Sequence, residues 1–300
     1  MSDPLTYSID DMNENLPQAD AEQWDLVVRP QNSLFDLNLK EVWRYKDLLL
    51  LFVRRDFIAQ YKQTILGPLW NLVQPILTTI MFLLIFGKIA NIPTDGIQPV
   101  LFYMSGITIW NYFSVCLTST STVFVANAGI FGKVYFPRLV IPLSIIISNI
   151  VRFGIQFGLL LIAMVYYHFK GYPIHMGWNF LLIFPTLLFM AAIGLGLGII
   201  ISSLTTKYRD FTVLMTFAIQ LLMYATPIVY PLSFLNHSKY KSLILLNPLT
   251  SVTELFRYSL FGVGTVTAGN ILYSVVFACV CLFLGLMIFS RVEKTFMDTV

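Results

Sequence analysis

The sequence predicts an all-α membrane protein with six transmembrane helices, an N-terminal cytoplasmic interfacial amphipathic helix, and short re-entrant helices between spans five and six. Three observations predict it. Of 300 residues, 57% are apolar and only 12% charged, whereas soluble domains carry about a quarter charged residues. The uncharged stretches are long and well separated, and the basic residues between them favour alternate flanks. A soluble globule of this length leaves about a quarter of its unfolded surface exposed, so this composition excludes a water-soluble domain.

The chain begins with an acidic tail. Through residue 40 it holds eight acids (Asp3, Asp10, Asp11, Glu14, Asp20, Glu22, Asp25 and Asp36) against Arg29 and Lys40. The remaining 260 residues carry seventeen basic and eight acidic groups, so a cationic body follows an anionic tail, residues 1–38, which reads as flexible. Acids at the N-terminus do not suit a cleaved signal peptide. Residues 39–64 place Val42, Trp43, Leu49, Leu50, Val53 and Phe57 at helical spacing, with charged residues largely elsewhere; this is the interfacial helix.

Residues 65–300 hold the spans. Crossing about 30 Å of hydrocarbon takes about 20 helical residues. Between Lys62 and Lys88 lie 25 uncharged residues, between Asp95 and Lys133 lie 37, and between Lys170 and Lys207 lie 36. From Leu139 to Phe169 only Arg152 interrupts, and Phe211–Ser238 and Tyr258–Ser290 carry no charge. The predicted spans are 66–87, 99–124, 141–167, 179–203, 211–232 and 268–290. An even number puts both termini on one side. Eleven basic residues flank that side and five the other, which makes both termini cytoplasmic in a multi-pass protein. Between spans five and six, Leu243–Leu246 and Leu255–Phe261 are apolar but too short to cross, broken by Pro248, Glu254 and Arg257. They read as re-entrant helices, with Glu254 and Arg257 on one helical face as an outer gate.

Catalytic and metal-binding constellations are missing from the sequence. No G-x-x-x-x-G-K-[ST] loop is present to cradle nucleotide phosphates. His168, His175 and His237 show no metal spacing, and Cys116, Cys279 and Cys281 suggest neither a disulfide nor a metal site. Gly194, Gly196 and Gly198 read as a packing stripe within a span, as do Gly154 and Gly158. Spans nearly free of acids argue against ion-coupled transport. Arg152 is the one charge inside a predicted span, at a cost of roughly 3 kcal/mol on insertion scales. It faces a cavity or a partner, or, if the third helix starts later, it snorkels to the cytoplasmic face.

Three segments carry a family resemblance. Arg54-Arg55-Asp56-Phe57-Ile58-Ala59-Gln60-Tyr61-Lys62 leads through Gly67-Pro68-Leu69-Trp70 to Gln74-Pro75; Phe131-Gly132-Lys133-Val134-Tyr135-Phe136-Pro137-Arg138 lies between spans two and three; and Phe289, Arg291, Glu293, Phe296 and Asp298 mark the C-terminus. Over residues 40–300 the chain resembles ABC-2 type permeases, the membrane halves of polysaccharide exporters. Gly67-Pro68 suits the change from surface helix to span, since proline fits a helix's first turn.

The resemblance implies a homodimer in the bacterial cytoplasmic (inner) membrane with two copies of a cytoplasmic ABC ATPase subunit, which would hold the ATP and Mg, so that this chain would bind no cofactor and be no enzyme. Phe131, Lys133, Tyr135, Phe136, Pro137 and Arg138 would form the ATPase-coupling segment, with the aromatics and Val134 docking while Lys133 and Arg138 stay wet. Arg54, Arg55, Asp56, Tyr61, Lys62, Gly67 and Pro68 would form the interfacial helix and the start of span one. The implied substrate is an undecaprenyl-type lipid-linked glycan such as an O antigen, capsule or teichoic-acid-like polymer; membrane lipids surround the chain, and nucleic acid is no partner. Aromatic side chains offer a sliding polymer contact without one fixed pose, so Trp110, Tyr112, Phe113, Tyr224 and Tyr230, with Arg152, are the candidate translocation path. Rival readings are an ABC-2 permease for a drug or lipid, and a membrane-embedded glycosyl- or acyltransferase.

Overall fold

The computed structural model describes residues 39–299 apart from 63, 132, 135, 173–176, 209 and 237, and the backbone alone for 39, 40, 207 and 292–299. The expectations for the acidic tail, Tyr135, His175 and His237 lie outside the described residues. The described residues form helices joined by turns and loops, without a strand. The helices, in chain order, are α1 (Leu39–Arg44), α2 (Lys46–Tyr61), α3 (Trp70–Phe82), α4 (Pro99–Ser121), α5 (Val123–Phe131), α6 (Val140–Phe169), α7 (Ile183–Lys207), α8 (Asp210–Tyr224), α9 (Lys241–Leu245), α10 (Pro248–Phe261) and α11 (Ala268–Thr299).

Five helical segments are long and apolar enough to cross a membrane: Gly67–Ile89, Pro99–Ser121, Val140–Phe169, Trp178–Thr206 and Ala268–Arg291. Each lies within a few residues of a predicted span. The first begins with a short turn of helix at Gly67–Leu69, runs through α3 and ends in a widened helical stretch, Leu83–Ile89. Gly67 adopts a left-handed φ of +50°, a conformation that costs glycine nothing and other residues considerably more. It ends the segment after α2, and Pro68 starts the span behind it.

The predicted fifth span, 211–232, is not among these five. Helix α8 stops at Tyr224 after fifteen residues, about 22 Å at 1.5 Å per residue. Beyond it the chain turns at Thr226-Pro227 and is held there by Arg257, thirty residues away. Pro248 also differs from expectation, since it starts α10 and does not break it. Proline sits in the first turn of α10, where its missing N–H goes unneeded, and the Asn247 side chain caps the helix by accepting from Leu249 N at 3.1 Å. Glu254 and Arg257 therefore lie inside one continuous helix.

Helix α4 is the centre of the bundle. Its most apolar window is 78% buried, against 17% for the first span, because α3, α6, α7 and α10 pack around it. The α7 glycines explain how closely the helices meet. A Cβ on Gly198 would lie 2.6 Å from Thr120 Cβ in α4, and one on Gly196 would lie 2.6 Å from the Cys281 backbone in α11. Small residues let backbones approach where lipid supplies no hydrophobic drive between helices. Gly154 and Gly158 do not share this role within the chain, since a Cβ on either meets nothing within 4 Å.

Candidate functional site

The segment between spans two and three forms an aromatic cluster. Helix α5 ends at Phe131, whose ring lies 6.0 Å from both Phe124 and Phe136; Phe136 in turn lies 5.8 Å from Phe52 of α2, and Phe124 stacks on Phe289 of α11 at 5.0 Å. Phe131 and Phe136 are buried within their own chain, so they are not free to dock on a partner as the sequence suggests. Arg138 does not stay wet either: it is 9% exposed and its guanidinium lies 5.6 Å from the Phe131 ring centroid. Among the described residues of this stretch, Lys133 and Val134 are the exposed side chains. The cluster thus packs the segment against α2 and α11 and leaves Lys133 and Val134 facing outward.

At the other end of the bundle, Glu254 and Arg257 form a buried pair 3.2 Å apart. Arg257 Nη1 also donates to the Pro227 carbonyl, and Nη2 donates to the Ile228 carbonyl at 2.7 Å. The guanidinium lies 3.8 Å from the Phe102 ring centroid, the distance of a cation–π contact. Gly106 makes the room, because a Cβ there would come within 2.8 Å of Nη2. Burial pushes the Glu254 carboxyl up from its ordinary range, and Arg257 opposes that shift. An exposed surface pair is therefore excluded.

The third site is a polar cavity of about 210 Å³ among four helical segments. Gln60 comes from α2, Asn71 and Gln74 from α3, Asn111 and Tyr112 from α4, and Asn149, Arg152 and Gln156 from α6. Arg152 is half-buried and lines this cavity. Asn71 donates to the Tyr61 hydroxyl, and Asn111 donates to Gln156 Oε1 at 3.2 Å. Buried Gln60 Oε1, Tyr112 Oη and Asn149 Oδ1 have no hydrogen-bond partner. Such orphaned polar atoms are costly unless water or a ligand meets them. Among the described residues no group of His, Cys, Asp and Glu could hold a metal ion.

The predicted path residues divide. Trp110 and Phe113 are buried in the packed core, Tyr112 lines the cavity, and Tyr224 is 48% exposed. Tyr230 is half-buried and its hydroxyl donates to the Tyr224 carbonyl at 3.1 Å. Arg54 and Lys62 are exposed, while Arg55 binds Asp56 with two bonds of 2.8 and 2.9 Å. The cavity's amides were the residues the sequence reading missed. Their signal was present in the spacing: Asn149, Arg152 and Gln156 stand at i, i+3 and i+7, and Asn71 and Gln74 at i and i+3, each set on one helical face.

Comparison with known proteins agrees with the sequence motifs. A family model described as ABC-2 type transporter matches residues 47–261. An O-antigen export system permease protein RfbA of Klebsiella pneumoniae is 29% identical over 257 residues, which cover 84% of this chain and 94% of the relative. RfbA of Myxococcus xanthus is 27% identical over 222 residues, 73% of this chain and 82% of the relative. The polysialic acid transport protein KpsM of Escherichia coli is 24% identical over 247 residues, 82% of this chain and 93% of the relative.

Proposed function

The chain belongs to the ABC-2 type transporter family, and from that premise we propose that it is the membrane subunit of an ATP-driven exporter of a lipid-linked polysaccharide. The observation that carries the proposal is near full-length similarity to proteins named for O-antigen export and polysialic acid transport. The multi-span body with no nucleotide loop of its own supports it. Two copies pair with two ATPase subunits, which bind ATP and Mg and carry out the hydrolysis. Six crossings, with α8 as the short fifth, keep both termini cytoplasmic, as the basic flanks favour. Helix α2 lies on the cytoplasmic membrane surface, and α9 and α10 dip into the outer leaflet without crossing it.

Motion of the ATPase enters through Lys133 and Val134 and passes to α2 and α11 along the aromatic cluster. At the outer end the Glu254–Arg257 pair fixes the exit loop, and Tyr224 with Tyr230 offers aromatic surface to the leaving polymer. A single chain leaves Leu77 and Met81 of α3 and Val213 and Phe217 of α8 exposed, which fits a bundle completed by a second copy and lipid. Inactivating the gene in its source cell should abolish surface glycan and trap lipid-linked glycan inside, with both defects reversed by the intact gene. Unchanged surface glycan would sink the reading.

A further inference from the structure

We propose that the Arg152 cavity binds a phosphate or diphosphate group, the head of a membrane-borne phosphate ester entering from the α2 end of the bundle. The inference takes its lipid-linked source from the reading above and its ligand chemistry from the cavity itself. Three observations converge. First, the lining contains one cation and no carboxylate, which turns cations away. Second, Asp56, the acid that bears on Arg152, is already bound by both Nε and Nη2 of Arg55. No carboxylate lies within ion-pair distance of Arg152 among the described residues; its guanidinium fork meets the Tyr61 hydroxyl and lines the cavity without a salt-bridge partner. That fork matches phosphate oxygens bidentately.

Third, the cavity is built to supply neutral donors around that charge. Tyr112 and Asn149 are 3% and 4% exposed, and each keeps an unpartnered polar atom at the cavity wall. The Tyr112 hydroxyl can donate, and a half-turn of the Gln60 or Asn149 amide, whose oxygen and nitrogen are nearly isosteric, presents N–H in place of oxygen. A water takes about 30 Å³ of liquid volume, so about 210 Å³ exceeds what a single trapped water needs. A sugar alone gives no reason for a charge at this depth, whereas a phosphate does. Because Gln60 and Tyr61 close the last turn of α2, occupancy also reaches the helix that leads into span one.

The test uses the purified full chain in detergent and three probes: farnesyl diphosphate, inorganic diphosphate, and phosphatidylglycerol micelles. Farnesyl diphosphate is expected to bind, with at least tenfold weaker binding to Arg152→Gln and partial recovery in Arg152→Lys. Equal affinity for inorganic diphosphate assigns the phosphate to a soluble source, and displacement by phosphatidylglycerol assigns it to bulk lipid. Gln156→Leu keeps the charge, removes one amide and should weaken binding severalfold. On the wild-type protein, farnesyl diphosphate should slow hydrogen exchange at residues 58–62 and 149–156. Binding indifferent to Arg152, or unchanged exchange at both segments, overturns the pocket. Export is scored separately on cells: normal surface glycan without probe binding rejects the pocket alone, and Arg152-dependent binding in a chain that exports no glycan rejects the export reading alone.

Discussion

Arg257 and Arg152 both stand within apolar helices, and their surroundings differ in kind. Arg257 is enclosed by Glu254, two backbone carbonyls and the face of Phe102, with Nε the nitrogen left unpaired. Arg152 lines a cavity with neutral amides and a tyrosine, some of whose polar atoms have no partner. The first arrangement consumes the charge in holding the chain together, while the second leaves the charge available. Burial alone therefore does not separate a structural arginine from a binding one; the completeness of its hydrogen bonding does.

Breaking the closed site should have the largest effect. Arg257→Ala leaves Glu254 as an uncompensated buried charge and frees the Pro227 and Ile228 carbonyls, which should cost about 3–5 kcal/mol. Thermal unfolding of the purified chain, or a collapse in membrane yield, would register it. The paired change Glu254→Leu with Arg257→Met should recover most of that loss, since apolar groups of similar volume replace a buried pair at little cost. A double variant as unstable as Arg257→Ala would mean that the carbonyl bonds, not the pair, hold the loop.

The aromatic cluster sharpens the comparison from the apolar side. Phe136→Ala should cost about 3 kcal/mol by leaving a cavity beside Phe52 and Phe131. Lys133→Ala with Val134→Ala, at exposed positions, should change stability by under about 0.5 kcal/mol yet uncouple transport from ATP hydrolysis. Transport retained in that double variant would move the ATPase contact elsewhere.

How much of this was legible in the sequence depended on the range of the interaction. Five spans were found because uncharged runs are local, and the Gly67-Pro68 turn because it needs only two residues. The end of α8 was hidden, because what holds Pro227 and Ile228 is Arg257, far along the chain. Phe131 and Phe136 misled for a similar reason, since an aromatic in a short loop reads equally as a docking or a core residue until Phe52 and Phe289 are placed beside it. Arg152 was visible as an anomaly, but its meaning was not, because the amides around it come from four segments and none forms a run.

Another small expected effect tests the comparison most directly. Arg152→Leu removes a charge that no carboxylate compensates and extends the apolar face of α6, so the penalty of desolvating the guanidinium disappears with it. Against that gain stand the contact with Tyr61 and the mismatch of leucine with the surrounding amides. These opposing terms should leave stability within about 1 kcal/mol of the wild type, measured beside Arg257→Ala by thermal unfolding in the same detergent. If Arg152→Leu instead unfolds the chain as Arg257→Ala does, Arg152 is holding the helices together. The contrast between a closed and an open arginine would then fail, whatever the cavity binds.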